Sequence, residues 1–238
     1  MDTTNALSKS AIRKAGSILR AYQRGEATRE QCNDAISTIQ NYRAAFVLPL
    51  TKVSGNLRDF AQALNIDVEV SQRLKRLGTI YDKLTVRETG LDLSRMRDIG
   101  GCRVVTDNND VSGVYELLEY AKKQWQSDVK RVIDYVATPR ESGYRAIHIE
   151  VNQDGYIIEV QLRTRVMHAW AETAESFSYV FQKNYKQDGQ SKVHDYMRLY
   201  SKLIQSVDSG LEWTQCDQQA YDVAVEDIRT LLKYISRG

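Results

Sequence analysis

Hydrophobic and polar positions follow two periods along this chain, and the change of period marks its parts. Over residues 8–24, Ala11, Ile12, Ala15, Ile18, Leu19 and Tyr22 fall on one helical face, with Ser8 or Ser10 as the cap and Gly25 as the stop. The opposite face carries Lys9, Arg13, Lys14, Arg20 and Arg24, ordinarily a solvated face and alternatively a phosphate-backbone contact. Thr28 and Gln31 frame a capping box, opening a second helix with Cys32, Ala35, Ile36, Ile39 and Phe46 inward. Pro49 ends that helix or starts a third through Val53, Leu57, Phe60 and Leu64. Residues 68–84 read as a further helix interrupted near Gly78, with Val70, Leu74, Leu77 and Tyr81 towards the core.

Beyond Asp98 the period falls to two. Residues 102–106 and 131–136 read as strands, separated by a helix of about 15 residues that Asp110 caps and that turns Val111, Val114, Leu117, Leu118, Ala121 and Trp125 inward. The runs 144–151 and 156–163 alternate on either side of Asn152-Gln153-Asp154-Gly155, a hairpin signal. Ile158, Val160 and Leu162 share one face of the second run, and Glu159, Gln161 and Arg163 share the other. In the first run Ile147, Ile149 and Val151 alternate with Ala146, His148 and Glu150. Helical spacing returns over 165–183, 192–208 and 215–236, with a break at 186–190. The order of helices, then β-α-β-β-β, then helices predicts an α+β fold, a small mixed sheet flanked by helices. It divides the chain into an N-terminal helical segment (1–66), a core (67–185) and C-terminal helices (186–238), whose Leu203, Val207 and Leu211 offer an interaction surface.

Composition narrows the class of function by exclusion. The chain has 238 residues, 42% hydrophobic and 27% charged, an ordinary globular balance able to bury a core. A net charge of +2 gives no basic nucleic-acid footprint beyond local clusters. No apolar run approaches the ~20 residues of a membrane span, and the first sixteen residues lack a signal-peptide h-region, so a cytoplasmic protein is expected. The three cysteines, Cys32, Cys102 and Cys216, are too scattered for a disulfide framework or zinc site. Neither GxxxxGK[ST] nor GxGxxG occurs. What stands out is a polar sheet face carrying Glu159, Gln161 and Arg163, a second carboxylate at Asp98 ahead of a strand, and four cations, Arg73, Lys75, Arg76 and Lys83, within one short stretch. Carboxylates with guanidinium and ammonium groups suit a metal–polyphosphate site, the former as oxygen ligands and the latter for phosphate.

Five stretches in order, RLKRLGTIYDKL (73–84), MRDIGGCRVV (96–105), DYVATPRESGYRAIH (134–148), EVQLRT (159–164) and MHAWAE (167–172), resemble the synthetase domain of the RelA/SpoT family of (p)ppGpp synthetases. The resemblance covers about residues 40–185, and the chain length resembles the stand-alone small alarmone synthetases. It implies a nucleotidyltransferase-like fold and a Mg²⁺-dependent pyrophosphokinase that moves the β,γ-pyrophosphate of ATP to the 3′-hydroxyl of GDP or GTP. It also implies roles: Arg73, Lys75, Thr79 and Lys83 on ATP; Asp98 on metal; Glu159 on metal or as general base; Arg103, Gln161 and Arg163 also on the ATP side, supporting the metal–phosphate site; Tyr144 stacked on the acceptor base; Arg140 and His148 on acceptor phosphates. His168 is read as structural, Trp170 as packing its helix onto the sheet, and His194 and Trp213 as packing or surface. Two departures stand out: Ala174-Glu175 replaces the family's Glu-His pair, and Ile133 replaces a basic residue. Two alternatives stay open. One is a toxin that pyrophosphorylates the tRNA 3′ end through the same site, along a basic path from Lys9, Arg13, Lys14 and Arg20 or from Lys122, Lys123 and Lys130, with an antitoxin partner. The other is an inactive nucleotide-binding module. A homo-oligomer is compatible with either.

Overall fold

A computed structural model describes residues 7–186 and 190–235. Expectations that touch 1–6, 187–189 or 236–238 lie outside the described residues. The N-terminal helices form as their caps dictate. In α1 (Lys9–Gln23) Ser8 Oγ accepts from the Ala11 N–H, while Ile12, Ala15 and Leu19 are buried. In α2 (Arg29–Ala44) the capping box is complete: Thr28 Oγ1 accepts from Gln31 N–H at 3.2 Å and Gln31 Oε1 from Thr28 N–H at 2.8 Å. Pro49 stands in the first turn of α3 (Val47–Ala63), where no intrahelical N–H is required.

The expected helix over 68–84 is corrected. Val68–Leu74 is an edge strand, β1, and the helix that follows, α4, spans only Leu77–Asp82. Val68 and Val70 alternate with exposed Glu69 and Ser71, so β-branched residues on a half-buried edge outweigh the helical spacing of Val70, Leu74 and Leu77. After β2 (Gly100–Thr106), α5 (Val111–Trp125) starts at Asp110, whose carboxylate accepts from the Ser112 N–H. Then come β3 (Val129–Asp134), β4 (Ile147–Gln153), β5 (Tyr156–Thr164), α6 (Arg165–Phe181), α7 (Lys192–Asp208) and α8 (Gln215–Ile235). The five strands are ordered β1-β2-β5-β4-β3, and among the described residues no helix is long and apolar enough to cross a membrane.

The hairpin β4–β5 closes through Asp154 and Gly155, both at positive φ (53° and 86°), the two-residue turn that matches strand twist. Along β5, Ile158, Val160 and Leu162 are buried as expected, but the opposite face is not a solvated one: Glu159 and Gln161 are half-buried and Arg163 is 1% exposed. β4 begins later than alternation suggests because residues 140–144 form a turn, with Gly143 N–H donating to the Arg140 carbonyl at 2.8 Å.

Contacts divide the chain into two compact units. The first holds the chain up to Asn56, Ser71–Cys102 and Glu150–Glu159; Phe46 lies in its core, edge-on to Tyr42 and Tyr156. The second holds Leu57–Val70, Arg103–Ile149 and the described residues from Val160 on, with Tyr144, Trp170, Met197, Ile204 and Ile228 in one buried cluster.

Candidate active site

In the first unit, charged groups converge just ahead of β2. The Lys75 N–H donates to the Ile99 carbonyl at 2.8 Å, which brings the end of β1 beside Asp98. Lys75 Nζ then donates to Asp98 Oδ2 at 2.7 Å, and Lys83 Nζ to both carboxylate oxygens at 3.2 and 3.3 Å. Lys83 opens a single π-helical turn, Lys83–Arg87, an irregularity that recurs at functional sites. Arg43 Nε, from α2, caps the Lys75 carbonyl at 2.7 Å. Burial opposes the charge on Asp98, but the hydrogen bonds and charges of Lys75 and Lys83 prevail and hold its carboxyl below the usual range.

Glu159 is placed by a glycine. A Cβ added at Gly101 would meet the Glu159 carbonyl oxygen at 3.2 Å, so the bare backbone lets β2 lie close to β5 there. The second carboxylate thus stands beside the strand that Asp98 leads into. Arg73 is exposed on β1 and Thr79 half-buried on α4; the hydrogen bonds to Asp98 come from Lys75 and Lys83, not from these two. A cation such as Mg²⁺ keeps several waters and is held by one or two carboxylates plus substrate phosphates. Asp98 and Glu159 fit that donor set. Among the described residues no group of three His, Cys, Asp or Glu side chains could hold a metal unaided, which leaves substrate phosphates to complete such a site.

The second unit carries the remaining candidates around one buried arginine. Arg163 Nη2 donates to Tyr144 Oη at 2.8 Å and to Gln161 Oε1 at 2.7 Å, while its Nε and Nη1 have no hydrogen-bond partner among the described residues. Its guanidinium lies 5.3 Å from the Tyr144 ring centre. Tyr144 Oη is also 2.6 Å from His148 Nε2. The Tyr144 ring, 5% exposed, meets Tyr135, His148 and Trp170 edge-on. Arg140 Nη2 donates to Tyr135 Oη at 2.9 Å, and its guanidinium covers the Tyr135 ring at 4.7 Å and stands 5.9 Å from the Tyr144 ring.

Cations lie close enough here to act on one another. Burial, then the charge of Arg163, pushes the Arg103 guanidinium down from its usual range. Burial, then Arg103, lowers the His168 imidazole, and burial lowers the Lys186 ammonium although Glu175 opposes it. A fully buried guanidinium with neutral partners and two unpartnered donors is costly; an anion would remove that cost.

Tyr135 and Lys186 escape sequence reasoning. Tyr135 lies inside a quoted motif, directly before the loop, and its role depends on Arg140 folding over it. Lys186 is reached only through the path of the chain after α6. The departure at Ala174-Glu175 acquires a geometry: Ala174 is buried in the core, and Glu175, turned by about 100° of helix, accepts from Lys186 Nζ at 2.5 Å. Trp170, expected to pack α6 onto the sheet, is buried and ties α6 to α7, donating from Nε1 to the Met197 carbonyl at 2.8 Å. His194 is 8% exposed, with Nδ1 at 2.8 Å from Ser191 Oγ.

Residues 72–187, just under half of the chain, match the family model described as "Region found in RelA / SpoT proteins". The fold is that of the small alarmone synthetases. The structure of small alarmone synthetase 1 from Bacillus subtilis bound to its product pppGpp superposes with a TM-score of 0.57 at 22% identity, covering 70% of this chain and 93% of that one. A GTP pyrophosphokinase family protein from Streptococcus pneumoniae gives 0.55 at 20% identity, over 76% and 95%. In sequence, the chain is 36% identical over 104 residues to the probable GTP diphosphokinase RSH3, chloroplastic, of Arabidopsis thaliana, covering 43% of this chain and 14% of that protein. It is 33% identical over 124 residues to the bifunctional (p)ppGpp synthase/hydrolase RelA of Mycobacterium tuberculosis, covering 52% and 16%. The chain therefore spans only a small part of the length of these curated relatives.

Proposed function

We propose that the protein transfers the β,γ-pyrophosphate of ATP to the 3′-hydroxyl of GDP or GTP. The observation that carries this reading is Asp98, held ionised between Lys75 and Lys83 within the matched RelA/SpoT region. The reaction forms a bond from the acceptor 3′-oxygen to the β-phosphorus of ATP and breaks the α,β-bridge, so AMP leaves. A divalent cation at Asp98 and Glu159 would neutralise phosphate charge. Lys75 and Lys83, already directed at a carboxylate, present ammonium groups to the polyphosphate, and exposed Arg73 adds a third cation. Glu159 takes the proton of the attacking hydroxyl. Such chemistry depends on positioning and charge neutralisation more than on covalent catalysis.

The resemblance assigns Arg163 and Arg103 to the metal–phosphate site, but because Arg163 bonds Tyr144 we place their buried positive charge beside the acceptor, where Tyr144 holds the base and Arg140 and His148 its phosphates. Stacking of a base on the Tyr144 ring requires Arg140 to give way, since that guanidinium stands over the neighbouring ring. The test is a label-transfer assay: γ-labelled ATP and Mg²⁺ with GDP, GTP, adenosine nucleotides or deacylated tRNA as acceptor. Label in a guanosine tetra- or pentaphosphate is expected. Label on tRNA alone, or on no acceptor, overturns the proposal.

A further inference from the structure

The α7 helix follows residue 187, the end of the RelA/SpoT match, yet it grips the loop that carries Tyr144. Gly143 sits at φ +91°, and a Cβ there would come 2.7 Å from Ser201 Cβ and 3.1 Å from the Met197 carbonyl oxygen, both on α7. That same Met197 carbonyl accepts the Trp170 indole N–H, so one oxygen joins α6, α7 and the loop. Ser142 Oγ donates to the Lys186 carbonyl at 3.2 Å.

The strongest tie is one residue further on. Arg145 Nη1 donates to both oxygens of Asp208, at 2.9 and 2.7 Å, and Nη2 donates to Ser209 Oγ at 3.1 Å. Ser209 Oγ in turn donates to Asp208 Oδ1 at 2.6 Å. The two charged side chains are 4% and 0% exposed. Loss of either partner from such a pair leaves a buried charge uncompensated.

We propose that α7 positions the acceptor loop, with Asp208 as a positioning residue that acts on Tyr144 through Arg145. This rests on the acceptor-side reading of Tyr144, His148 and Arg163. Arg145 follows Tyr144 directly, so anchoring its guanidinium at the end of α7 fixes the backbone from which the Tyr144 hydroxyl meets Arg163 and His148. Those contacts, at 2.8 and 2.6 Å, tolerate a shift of only a few tenths of an ångström. A residue outside the family match thereby sets how tightly the acceptor is held, and leaves the Lys75–Asp98–Lys83 group untouched.

The test compares wild type, Asp208→Asn and, as control, Val207→Ala, an exposed position on the same helix. Amide hydrogen exchange is read over residues 140–146, and GDP and ATP binding are read separately by calorimetry. For Asp208→Asn, exchange in the loop should rise and the Kd for GDP should increase about tenfold with ATP binding unchanged. Unchanged loop exchange overturns the clamp whatever the acceptor is. Raised exchange with unchanged GDP affinity overturns the positioning role. A wild-type protein that binds no GDP instead overturns the functional reading, and loop exchange still decides the clamp. Should Asp208→Asn fail to fold, Ser209→Ala, which removes one hydroxyl from the same group, carries the same comparison.

Discussion

Lys75 Nζ lies 2.7 Å from Asp98 Oδ2, and the two residues reach each other because the Lys75 N–H is bonded to the carbonyl of Ile99, immediately after Asp98. The pair keeps a carboxylate ionised where burial would favour its neutral form. Asp98→Asn should lower pyrophosphoryl transfer about 10²–10³-fold, the scale of removing one preorganised electrostatic group, with an unchanged circular-dichroism spectrum. Full activity in this variant would remove Asp98 from the site.

The same pair makes a prediction about acid stability. Because the folded-state pKa of Asp98 is depressed, its contribution is complete above the unfolded value of about 3.9 and is lost as pH falls through the folded value. Urea midpoints at pH 7 and at pH 3 should therefore differ less in Asp98→Asn than in wild type. An equal or larger difference in the variant would show that Lys75 and Lys83 do not hold this charge.

Glu159→Gln preserves shape and removes the proton acceptor. Its kcat should fall about 10²–10⁴-fold, the range for a lost general base, while the Kd for ATP stays close to wild type. Steady-state kinetics with isothermal titration of ATP checks this. A kcat within a fewfold of wild type would assign the base elsewhere.

Tyr144→Phe keeps the ring among Tyr135, His148 and Trp170 but removes the hydroxyl that accepts from Arg163. The buried guanidinium then keeps Gln161 as its one hydrogen-bond acceptor among the described residues, and unfolding free energy should drop by about 1–3 kcal/mol. The KM for the guanosine acceptor should rise with little change for ATP. A selective loss of ATP affinity would place Tyr144 on the donor side.

The basic face of α1 predicts little for the reaction. Arg13 pairs with Asp92 at 2.8 Å and Arg20 donates to the Leu91 carbonyl at 2.9 Å, so both bind the protein itself. Arg13→Ala and Arg20→Ala should alter transfer rates less than twofold and change salt dependence little, since they neutralise no acceptor phosphate. A large drop confined to a tRNA acceptor would contradict this.

Much of the architecture was legible in the chain because its signals are local. Ser8, Thr28 and Asp110 announce helix starts, Asp154-Gly155 announces the hairpin, and the alternation of Ile158, Val160 and Leu162 marks the core face of β5. β1 is not legible locally, because Val70, Leu74, Leu77 and Tyr81 also fit a helical spacing, whereas pairing to β2, a non-local event, decides the conformation. The motifs name Asp98, Lys75 and Lys83 as candidates, and the structure brings these three side chains together. The burial of Arg163 under Tyr144, 19 residues away, and the grip of Asp208 on Arg145, 63 residues away, depend on how distant segments meet and leave no local trace.

The central claim is the transfer of a pyrophosphate group as one unit. ATP labelled separately at the β and γ phosphates, incubated with Mg²⁺ and GDP, tests it directly. Both labels should appear in the guanosine product, with one AMP released for each product formed. Release of ADP with only the γ label transferred, or ATP consumption with neither label on the acceptor, would contradict the account.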